Sequence, residues 1–461
     1  MTPHADSTEP ADIFSNQFSR ESIKTAFSEH ISASTSAGVD GLTPDQFKNR
    51  AAKHLDIIHR KCNSGDYSFA PYRQVLIPRG PKRRPRQLAI PTVRDRIVLY
   101  LLKEVLQEVF PDRRRTDLPN TYIADTADAI GTYTGDDLCW IRSDIRNFFP
   151  SINRDILFSL IQRRLNHSTV LSLLSRALLT PIVPKQYERK ERQQYSMRSG
   201  VPQGLAISNL LAEIYGTELD EALKDECYFY RRYVDDILIL VPKSRIGHIT
   251  RQLSAELARL DLDESKNKRS VGNLDEAFQY LGYLVTPQDI SVRQRTVERH
   301  IENVARVVTR YRRGGYDHIE DVATRREVFF EDINEILTGA ISENKRYGWI
   351  FFFLEITDME LLHKIDAIAA DIVQRLDFVE SRGAAESKLK STVRAYYEAR
   401  KAPGAGYIRN YNNFNLQDKR NFLRRRDLID NDASPDKIRN SFEKVRERRL
   451  RQLRVDATQF S

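Results

Sequence analysis

Cysteine is scarce in this sequence, and the three that occur, Cys62, Cys139 and Cys227, are far apart. They match neither the spacing of a zinc site nor a disulfide framework, so a reducing, cytoplasmic setting is expected. No run of 18 or more apolar residues is present, which excludes a membrane-spanning helix and predicts no membrane partner. The polar, acidic N-terminus also lacks the basic and then apolar pattern of a secretory signal.

Charge of one sign is in excess in only one part of the chain. The formal net charge of the 461 residues is +9, whereas residues 381–461 alone hold 20 Lys and Arg against 10 Asp and Glu. The excess therefore lies in the C-terminal segment, which predicts a polyanionic partner for it.

Two adjacent acids, Asp235 and Asp236, lie between two apolar, β-branched and aromatic segments. The flanking residues 228–230 and 237–241 predict two buried strands joined by a tight connection. Neighbouring carboxylates there repel each other and lose hydration, and a hard divalent cation such as Mg²⁺ would compensate. The alternative is an ordinary turn, in which Asp is common.

A third acid, Asp144, ends a predicted strand at Leu138–Asp144. The order of strand, helix, long excursion, helix and hairpin is that of a split βαβ unit, in which this strand becomes a neighbour of the hairpin. Three carboxylates would then converge. Two Mg²⁺ ions about 3.5–4 Å apart could bridge an attacking 3′-oxygen and the phosphates of a nucleotide, which predicts phosphoryl transfer.

A basic segment at 79–85 lies between two predicted strands, 74–78 and 86–91. Gly80 and Pro81 favour a hairpin tip. Its cations predict phosphate contact, and a solvated charge run is the alternative; they are Arg79, Lys82 and Arg83.

Three segments in the same order and spacing resemble motifs A, B and C of reverse transcriptases. They are 144–149 (Asp-Ile-Arg-Asn-Phe-Phe), 201–204 (Val-Pro-Gln-Gly) with 208–210, and 233–236 (Tyr-Val-Asp-Asp). Further matches are the loop 37–41, a finger segment from Arg84 to Arg96, Lys266 and residues 280–283. The resemblance covers about residues 34–290. Each motif is weak alone, and the ordered set is specific.

The resemblance implies an α+β fold, a right-hand polymerase with fingers, a ferredoxin-like palm and a helical thumb, followed by an all-α basic C-terminal region. The expected segments are an N-terminal arm and helix (1–33), fingers (34–130), palm (131–290, with a finger insertion at about 155–199), thumb (291–380) and the basic region (381–461).

Roles for individual residues follow from the same resemblance. Asp144 and Asp235 would bind both metals, with Ile145 as a further ligand and Asp236 as their support. The ring of Phe149 would clash with a ribose 2′-OH, whereas Phe148 suits the core. The resemblance also assigns contact with the nucleotide or template to Arg84, Arg94, Gln203 and Gly204, and a primer grip to Tyr280, Leu281 and Gly282. Lys266 would donate a proton to pyrophosphate, with a solvated lysine as the alternative. Nucleic-acid contact is expected from Arg424, Arg425 and Arg426.

The subgroup is indicated by residues 147–152, which are similar to bacterial retron-like enzymes, and by the C-terminal region. Residues 347–366 and 406–411 look like the helical C-terminus of the bacterial "unknown group" reverse transcriptases linked to phage defence. The resemblance therefore implies a non-coding RNA template, deoxynucleotide substrates, a cDNA product and two Mg²⁺ ions, with Mn²⁺ as a substitute. A homo-oligomer is left open.

Two other functions fit the sequence. The same site could synthesise DNA without a template or from a protein primer, for which Tyr407 and Tyr411 are the candidate hydroxyls and aromatic packing is the alternative. The fold could also be a retired polymerase that serves as an RNA-binding scaffold, although the intact acids and Gln203 disfavour this.

Overall fold

The computed structural model of the chain describes residues 9–32, 36–78, 85–114, 118–265, 269–343, 345–401 and 406–458. The chain forms two compact units, each made of two separate segments. Unit 1 comprises Met1–Thr116 and Cys139–Val271, and unit 2 comprises Asp117–Leu138 and Gly272–Ser461.

Helices make up most of both units. In chain order, the described α-helices are α1 (Pro10–Gln17), α2 (Arg20–Thr25), α3 (Pro44–Lys48), α4 (Ala51–Asn63), α5 (Val93–Val109), α6 (Pro119–Thr132), α7 (Phe148–Ser151), α8 (Arg154–Gln162), α9 (Ser168–Leu179), α10 (Ser208–Leu223), α11 (Ile246–Arg259), α12 (Gln294–Arg312), α13 (Val322–Thr338), α14 (Trp349–Phe352), α15 (Met359–Val373), α16 (Arg382–Lys388), α17 (Thr392–Lys401), α18 (Leu416–Arg424) and α19 (Pro435–Thr458). None of the described helices is long and apolar enough to cross a lipid bilayer.

The strands form four small sheets within the described residues. They are β1 (Tyr72–Ile77), β2 (Arg86–Ile90), β3 (Leu138–Asp144), β4 (Ile182–Val183), β5 (Phe229–Tyr233), β6 (Asp236–Pro242), β7 (Ser270–Asn273), β8 (Phe278–Tyr280), β9 (Tyr283–Val285), β10 (Ile290–Val292), β11 (Ala340–Ser342), β12 (Lys345–Tyr347) and β13 (Arg409–Asn410). The sheet orders are β2-β1-β4, β5-β6-β3-β7, β10-β9-β8 and β12-β11-β13.

The second of these sheets has the topology predicted from the sequence. Strand β6 lies between β3 and β5, so two strands joined by a crossover are separated by a third, as in a split βαβ unit. The predicted mixture of helices and sheets with a mainly helical C-terminal region is confirmed, and it is consistent with a right-hand polymerase. The five-segment domain division stays a prediction.

Unit 1 is built on one large apolar core. Helix α5 supplies Ile97, Leu101, Leu102 and Val105, which follow helical spacing and are fully buried. Because most residues in each of its turns are apolar, this helix packs against several neighbouring elements of unit 1.

Three local sequence patterns differ from the structure. Thr43 followed by Pro44 predicts a helix that begins there and runs to about His59, and the structure has two helices, α3 and α4, with Thr43 in a capping box with Gln46 at the start of the first. The strand-like pattern at 278–285 predicts one strand, and the structure has a hairpin of β8 and β9. The region after Val292 was predicted to be helical, and it also contains the small sheet β11–β13.

Candidate active site

The hairpin of β5 and β6 presents the two adjacent acids. Tyr233 pairs with Asp236 across the strands, so Val234 and Asp235 form a two-residue turn. Val234 has a φ of 59°, a left-handed conformation that is unfavourable for a β-branched side chain. The surroundings must therefore hold this turn in place.

Arg232 stabilises this turn, and its role was not predicted from the sequence. Its Nη1 donates to the carbonyl of Val234 at 2.9 Å, and its side chain is almost fully buried. Asp220 and Glu213 on α10 accept from the same guanidinium at 2.7 and 3.2 Å. The charge of Arg232 is thus balanced by the helix that follows the motif B loop. An Arg beside a predicted catalytic turn is the signal that could have found it.

Asp144 and Asp235 are brought together by the backbone. The N–H of Ile145 donates to the carbonyl of Asp235 at 2.8 Å. The hydroxyl of Ser265 donates to Oδ1 of Asp144 at 2.5 Å, and its N–H donates to the carbonyl of Asp144 at 2.8 Å. These bonds place the end of β3 against the tip of the hairpin, as the split βαβ order predicted.

Asp236 is held differently from the other two acids. Its carboxylate forms a two-point ion pair with Arg142, at 3.2 and 3.3 Å. Arg142 precedes Asp144 by two residues on β3, so both side chains lie on the same face of that strand. Since alternation along a strand is readable from sequence, Arg142 could have been identified as a neighbour of the acids.

The binding of metal ions by three clustered carboxylates stays a prediction. Among the described residues, no group of three or more His, Cys, Asp and Glu side chains is placed to hold a metal ion. The Asp236 carboxylate is paired with Arg142. The carboxylates of Asp144 and Asp235 supply the hard oxygen donors that suit a divalent cation. Ligation by Ile145 stays a prediction.

The motif B loop is tied to motif A and to β2 through the backbone. Val201 donates to the carbonyl of Phe149 at 2.8 Å, and Ala89 donates to the carbonyl of Gln203 at 2.8 Å. Gly204 has a φ of 101°, and a Cβ there would lie 2.9 Å from the carbonyl oxygen of Ala89, so glycine is required. The predicted nucleotide contacts Phe149, Gln203 and Gly204 are thus brought to one neighbourhood.

The two phenylalanines of motif A differ in burial. Phe148 is 2% exposed and belongs to the core, as expected. Phe149 is half-buried, with its ring centroid 5.9 Å from that of Phe148. The role of Phe149 in excluding ribonucleotides stays a prediction.

The predicted finger contact Arg94 lies at the start of α5. Its Nη2 is 3.2 Å from Nδ1 of His54 on α4, and burial together with Arg94 lowers the pKa of His54. Arg96 donates to the carbonyl of Ser36 at 2.7 Å, which holds the segment leading into the matched loop 37–41 against this helix. Arg94 and the loop are therefore neighbours within unit 1.

The predicted primer grip forms the turn of the β8–β9 hairpin in unit 2. Leu281 and Gly282 have φ values of 49° and 87°, and Tyr280 is fully buried. Gly282 is the sequence signal for this turn, because a glycine inside a strand pattern often marks a turn or bulge. Five predicted site residues lie outside the described residues: Arg79, Lys82, Arg83, Arg84 and Lys266.

The arginine run 424–426 was predicted to contact nucleic acid, and the structure corrects this for Arg426. Its side chain is 6% exposed and pairs with Glu331 and Asp332 of α13 at 2.7 and 3.1 Å. Arg425 pairs with Glu331 at 2.7 Å, whereas Arg424 is exposed. Because α13 supplies carboxylates to this segment, part of the basic charge is neutralised within the protein.

The two candidate priming tyrosines are also engaged. Tyr411 is buried, and its hydroxyl donates to Glu335 at 2.7 Å. Burial and the Glu335 carboxylate raise the pKa of Tyr411 to about 12. The hydroxyl of Tyr407 accepts from the N–H of Ser391 at 2.6 Å. Both side chains therefore have structural roles here, which agrees with the packing alternative.

Comparison with known proteins identifies part of the chain. Residues 77–285 match the family "Reverse transcriptase (RNA-dependent DNA polymerase)". The chain is 28% identical to an "Uncharacterized 91 kDa protein in cob intron" of Schizosaccharomyces pombe, over 40% of this chain and 23% of that protein. It is 24% identical to the Escherichia coli protein YkfC, over 53% of this chain and 74% of that protein. It is also 24% identical to the group II intron-encoded protein LtrA of Lactococcus lactis, over 42% and 32% respectively.

Two solved structures are similar at low identity. Telomerase from Candida albicans, solved with a fragment of telomeric RNA, gives a TM-score of 0.40 at 11% identity, over 78% of this chain and 66% of that one. Apo telomerase from Candida tropicalis gives 0.39 at 15% identity, over 49% and 55%.

The curated relatives are mostly longer than the matched region. The chain spans about a quarter of the cob intron protein and about a third of LtrA. The family that matches uses divalent metal ions. The matched segment contains motifs A, B and C and the hairpin that carries the acids. Over residues 77–285, the chain is therefore similar to reverse transcriptases, the family of RNA-dependent DNA polymerases.

Proposed function

We propose that the chain is a reverse transcriptase that copies an associated non-coding RNA into cDNA during antiphage defence. The observation that supports catalysis most directly is the backbone bond between Ile145 and Asp235. This bond joins the end of β3, where Asp144 lies, to the turn that carries Asp235.

Asp144 and Asp235 would hold two Mg²⁺ ions, which when bound would supply charge neutralisation for the triphosphate and activation of the 3′-hydroxyl. The residues of this chain provide position. Ser265 orients Asp144, Arg232 fixes the turn that carries Asp235, and Arg142 holds Asp236. Phosphoryl transfer needs little beyond such positioning and charge neutralisation, so this arrangement suits the reaction.

The catalytic proposal is tested with Asp235→Asn, which keeps the side-chain shape but removes the charge. Extension of oligo(dT) on poly(rA) with labelled dTTP and Mg²⁺ should fall by at least about 100-fold, several kcal/mol of transition-state stabilisation. Asp263→Asn is the matched control: this acid is exposed, lies near motif A and contributes a backbone carbonyl to Arg146, so activity should be retained. Full activity of Asp235→Asn would contradict the proposal.

The defence role is inferred from the resemblance of the C-terminal region. It is tested by sequencing the nucleic acid that copurifies with the chain and by plating phage on cells with the wild type or with Asp235→Ala and Asp236→Ala together. Protection that depends on both acids, together with one enriched RNA, supports cDNA synthesis in defence. Unchanged protection by the double variant would favour a scaffold instead.

Protein priming from the predicted tyrosines gains no support. Tyr407 and Tyr411 already use their hydroxyl groups in hydrogen bonds within unit 2. DNA that remains attached to the protein after denaturation would reopen this alternative.

A further inference from the structure

The basic residues of the last helix are divided between two opposite faces. The inner face of α19 is buried and carries Ile438, Phe442, Leu450 and Leu453. Arg449 lies beside them and pairs with Asp332 at 2.7 Å and with Glu335. Basic residues on this face are therefore used to hold the fold together.

The outer face carries a different set. Lys437, Lys444, Arg448 and Arg451 are exposed and are separated by seven, four and three residues. At about 100° per residue this spacing places all four on one side of the helix, opposite the buried residues. With a rise of about 1.5 Å per residue, the stripe is roughly 21 Å long.

The stripe keeps its charge. Lys437 pairs with Asp430 at 2.7 Å, but Lys444, Arg448 and Arg451 make no ion pair with any residue that the structure describes. No acid lies within the stripe; Glu447, half-buried, is at its margin. Three free cations in a row on a rigid helix are a good match for the phosphates of one nucleic-acid strand.

We propose that Lys444, Arg448 and Arg451 form a docking surface for the phosphate backbone of the RNA. This inference rests on the proposed function and gives its RNA contact a location different from the predicted run 424–426. The stripe contains no aromatic side chain for base stacking, so it should bind RNA with little sequence preference and with strong dependence on salt.

The test uses the full-length chain with Lys444→Gln, Arg448→Gln and Arg451→Gln combined, and a second variant with Glu at the same three positions. Binding of oligo(rU) and of the copurified RNA is measured as a function of salt. Each lost phosphate contact should reduce the slope of log K against log salt by about 0.7, so the Gln variant should lose about 2 and bind at least about 10-fold more weakly. The Glu variant should bind more weakly still.

A matched control removes the same charge elsewhere in unit 2, with Arg375→Gln, Lys388→Gln and Lys401→Gln, all at exposed positions. This control should bind RNA like the wild type. Because all six positions are exposed, thermal unfolding should be unchanged in both sets.

The outcomes separate this inference from the proposed function. Weaker RNA binding, with oligo(dT) extension retained when poly(rA) is saturating, supports the docking surface. Gln and Glu variants that bind RNA with the affinity and salt slope of the wild type would overturn the docking surface. It would also be overturned if the variants lost binding to anionic vesicles and kept binding to RNA. A wild-type chain that cannot extend the primer would instead refute the proposed function, whatever the stripe binds.

Discussion

At the scale of single residues, the turn that carries Asp235 depends on a buried guanidinium. A β-branched residue in the left-handed region, such as Val234, costs about 1–3 kcal/mol. Arg232 offsets this by bonding the carbonyl of Val234 while Asp220 and Glu213 fix its other nitrogens. The strained backbone at Val234 and the buried charge of Arg232 are therefore linked by these hydrogen bonds.

Helix α10 leaves room for that guanidinium at Gly216. A Cβ there would lie 2.4 Å from the Arg232 guanidinium carbon, so Gly216→Ala must displace the side chain. We expect a loss of about 1–3 kcal/mol of stability and at least about a 10-fold drop in primer extension. Gly247→Ala is the control, because nothing lies within 4 Å of a Cβ there and the residue is also helical. Equal behaviour of the two variants in thermal melts and extension assays would refute the role of Arg232.

Phe149 gives a second prediction at this scale. If its ring blocks a ribose 2′-OH, Phe149→Ala should raise incorporation of ribonucleotides relative to deoxynucleotides by at least about 10-fold, or 1.4 kcal/mol. Competition assays on a poly(rA) template measure the ratio. Phe148→Leu is the control, because its side chain is in the core and should leave the ratio unchanged. An unaltered ratio in Phe149→Ala would remove the assignment.

At the scale of elements, α13 connects the separate pieces of the C-terminal region. Its carboxylates at Glu331, Asp332 and Glu335 are met by arginines from three segments: Arg409 on β13, Arg426 just after α18, and Arg449 on α19. Such buried pairs add little net stability when intact, but loss of one partner is costly. They fix which elements pack together.

Glu335→Gln tests this arrangement. The substitution removes one of the carboxylate charges that face Arg409 and Arg449. We expect the free energy of unfolding, measured by chemical denaturation, to fall by about 3–5 kcal/mol. Glu327→Gln is the matched control: this residue is on the same helix and pairs with Arg425, but its side chain is 66% exposed. Its effect should be below about 1 kcal/mol. Equal losses would show that burial of the network does not matter.

The same network predicts a dependence on pH. Burial alone would raise the pKa of Asp332, but Arg449 and Arg426 outweigh it and hold the pKa at about 2. The pKa values of Glu331 and Glu335 are also lowered, by the arginines that face them. Groups with lowered pKa stabilise the folded state above their unfolded pKa, near 4, and lose this contribution as the pH falls toward 2.

Thermal melts between pH 6 and pH 2 should therefore show a steep loss of stability below about pH 4. Asp332→Asn, which removes one of these groups, should start less stable and show a shallower decline. An identical slope in wild type and variant would contradict the assignment of Asp332.

The elements also show what could be read from the sequence. The strand ending at Asp144 and the Asp235–Asp236 hairpin were predictable, since apolar β-branched segments and a tight connection are local signals. The burial of Arg426 was not, because its partners Glu331 and Asp332 lie more than 90 positions away. The position of Arg142 on the strand face that carries Asp144 was readable from the sequence, whereas its pairing with Asp236 is a contact between two strands.

At the scale of the whole molecule, the net charge overstates the free positive surface. Residues 381–461 supply all of the excess, but several of their arginines are neutralised by acids of α13. Of the cations that remain exposed, Lys437, Lys444, Arg448 and Arg451 are arranged along one side of α19. Composition therefore located the excess charge in the sequence and gave no indication of which cations face the solvent.

The order of the elements along the chain does not follow the division into two compact units. Helix α6 precedes the palm strand β3 and lies within the predicted fingers, yet it belongs to unit 2 with residues 272–461. Its buried residues Ile123 and Thr126 have little exposure in the full chain. The assignment of two segments that are far apart in the chain to one unit leaves no local mark in the sequence.

A fragment of residues 1–271 would keep all of unit 1 but would separate α6 from the rest of its unit. We expect the backbone amides of α6 to exchange with deuterium much faster in this fragment than in the full chain, because the surface that covers Ile123 is gone. The amides of α5, whose apolar residues are buried in the core of unit 1, should stay protected and serve as the internal control. Protection of α6 in the fragment equal to that in the full chain would show that this helix folds with unit 1, and the boundary between the units would then lie near residue 271 alone.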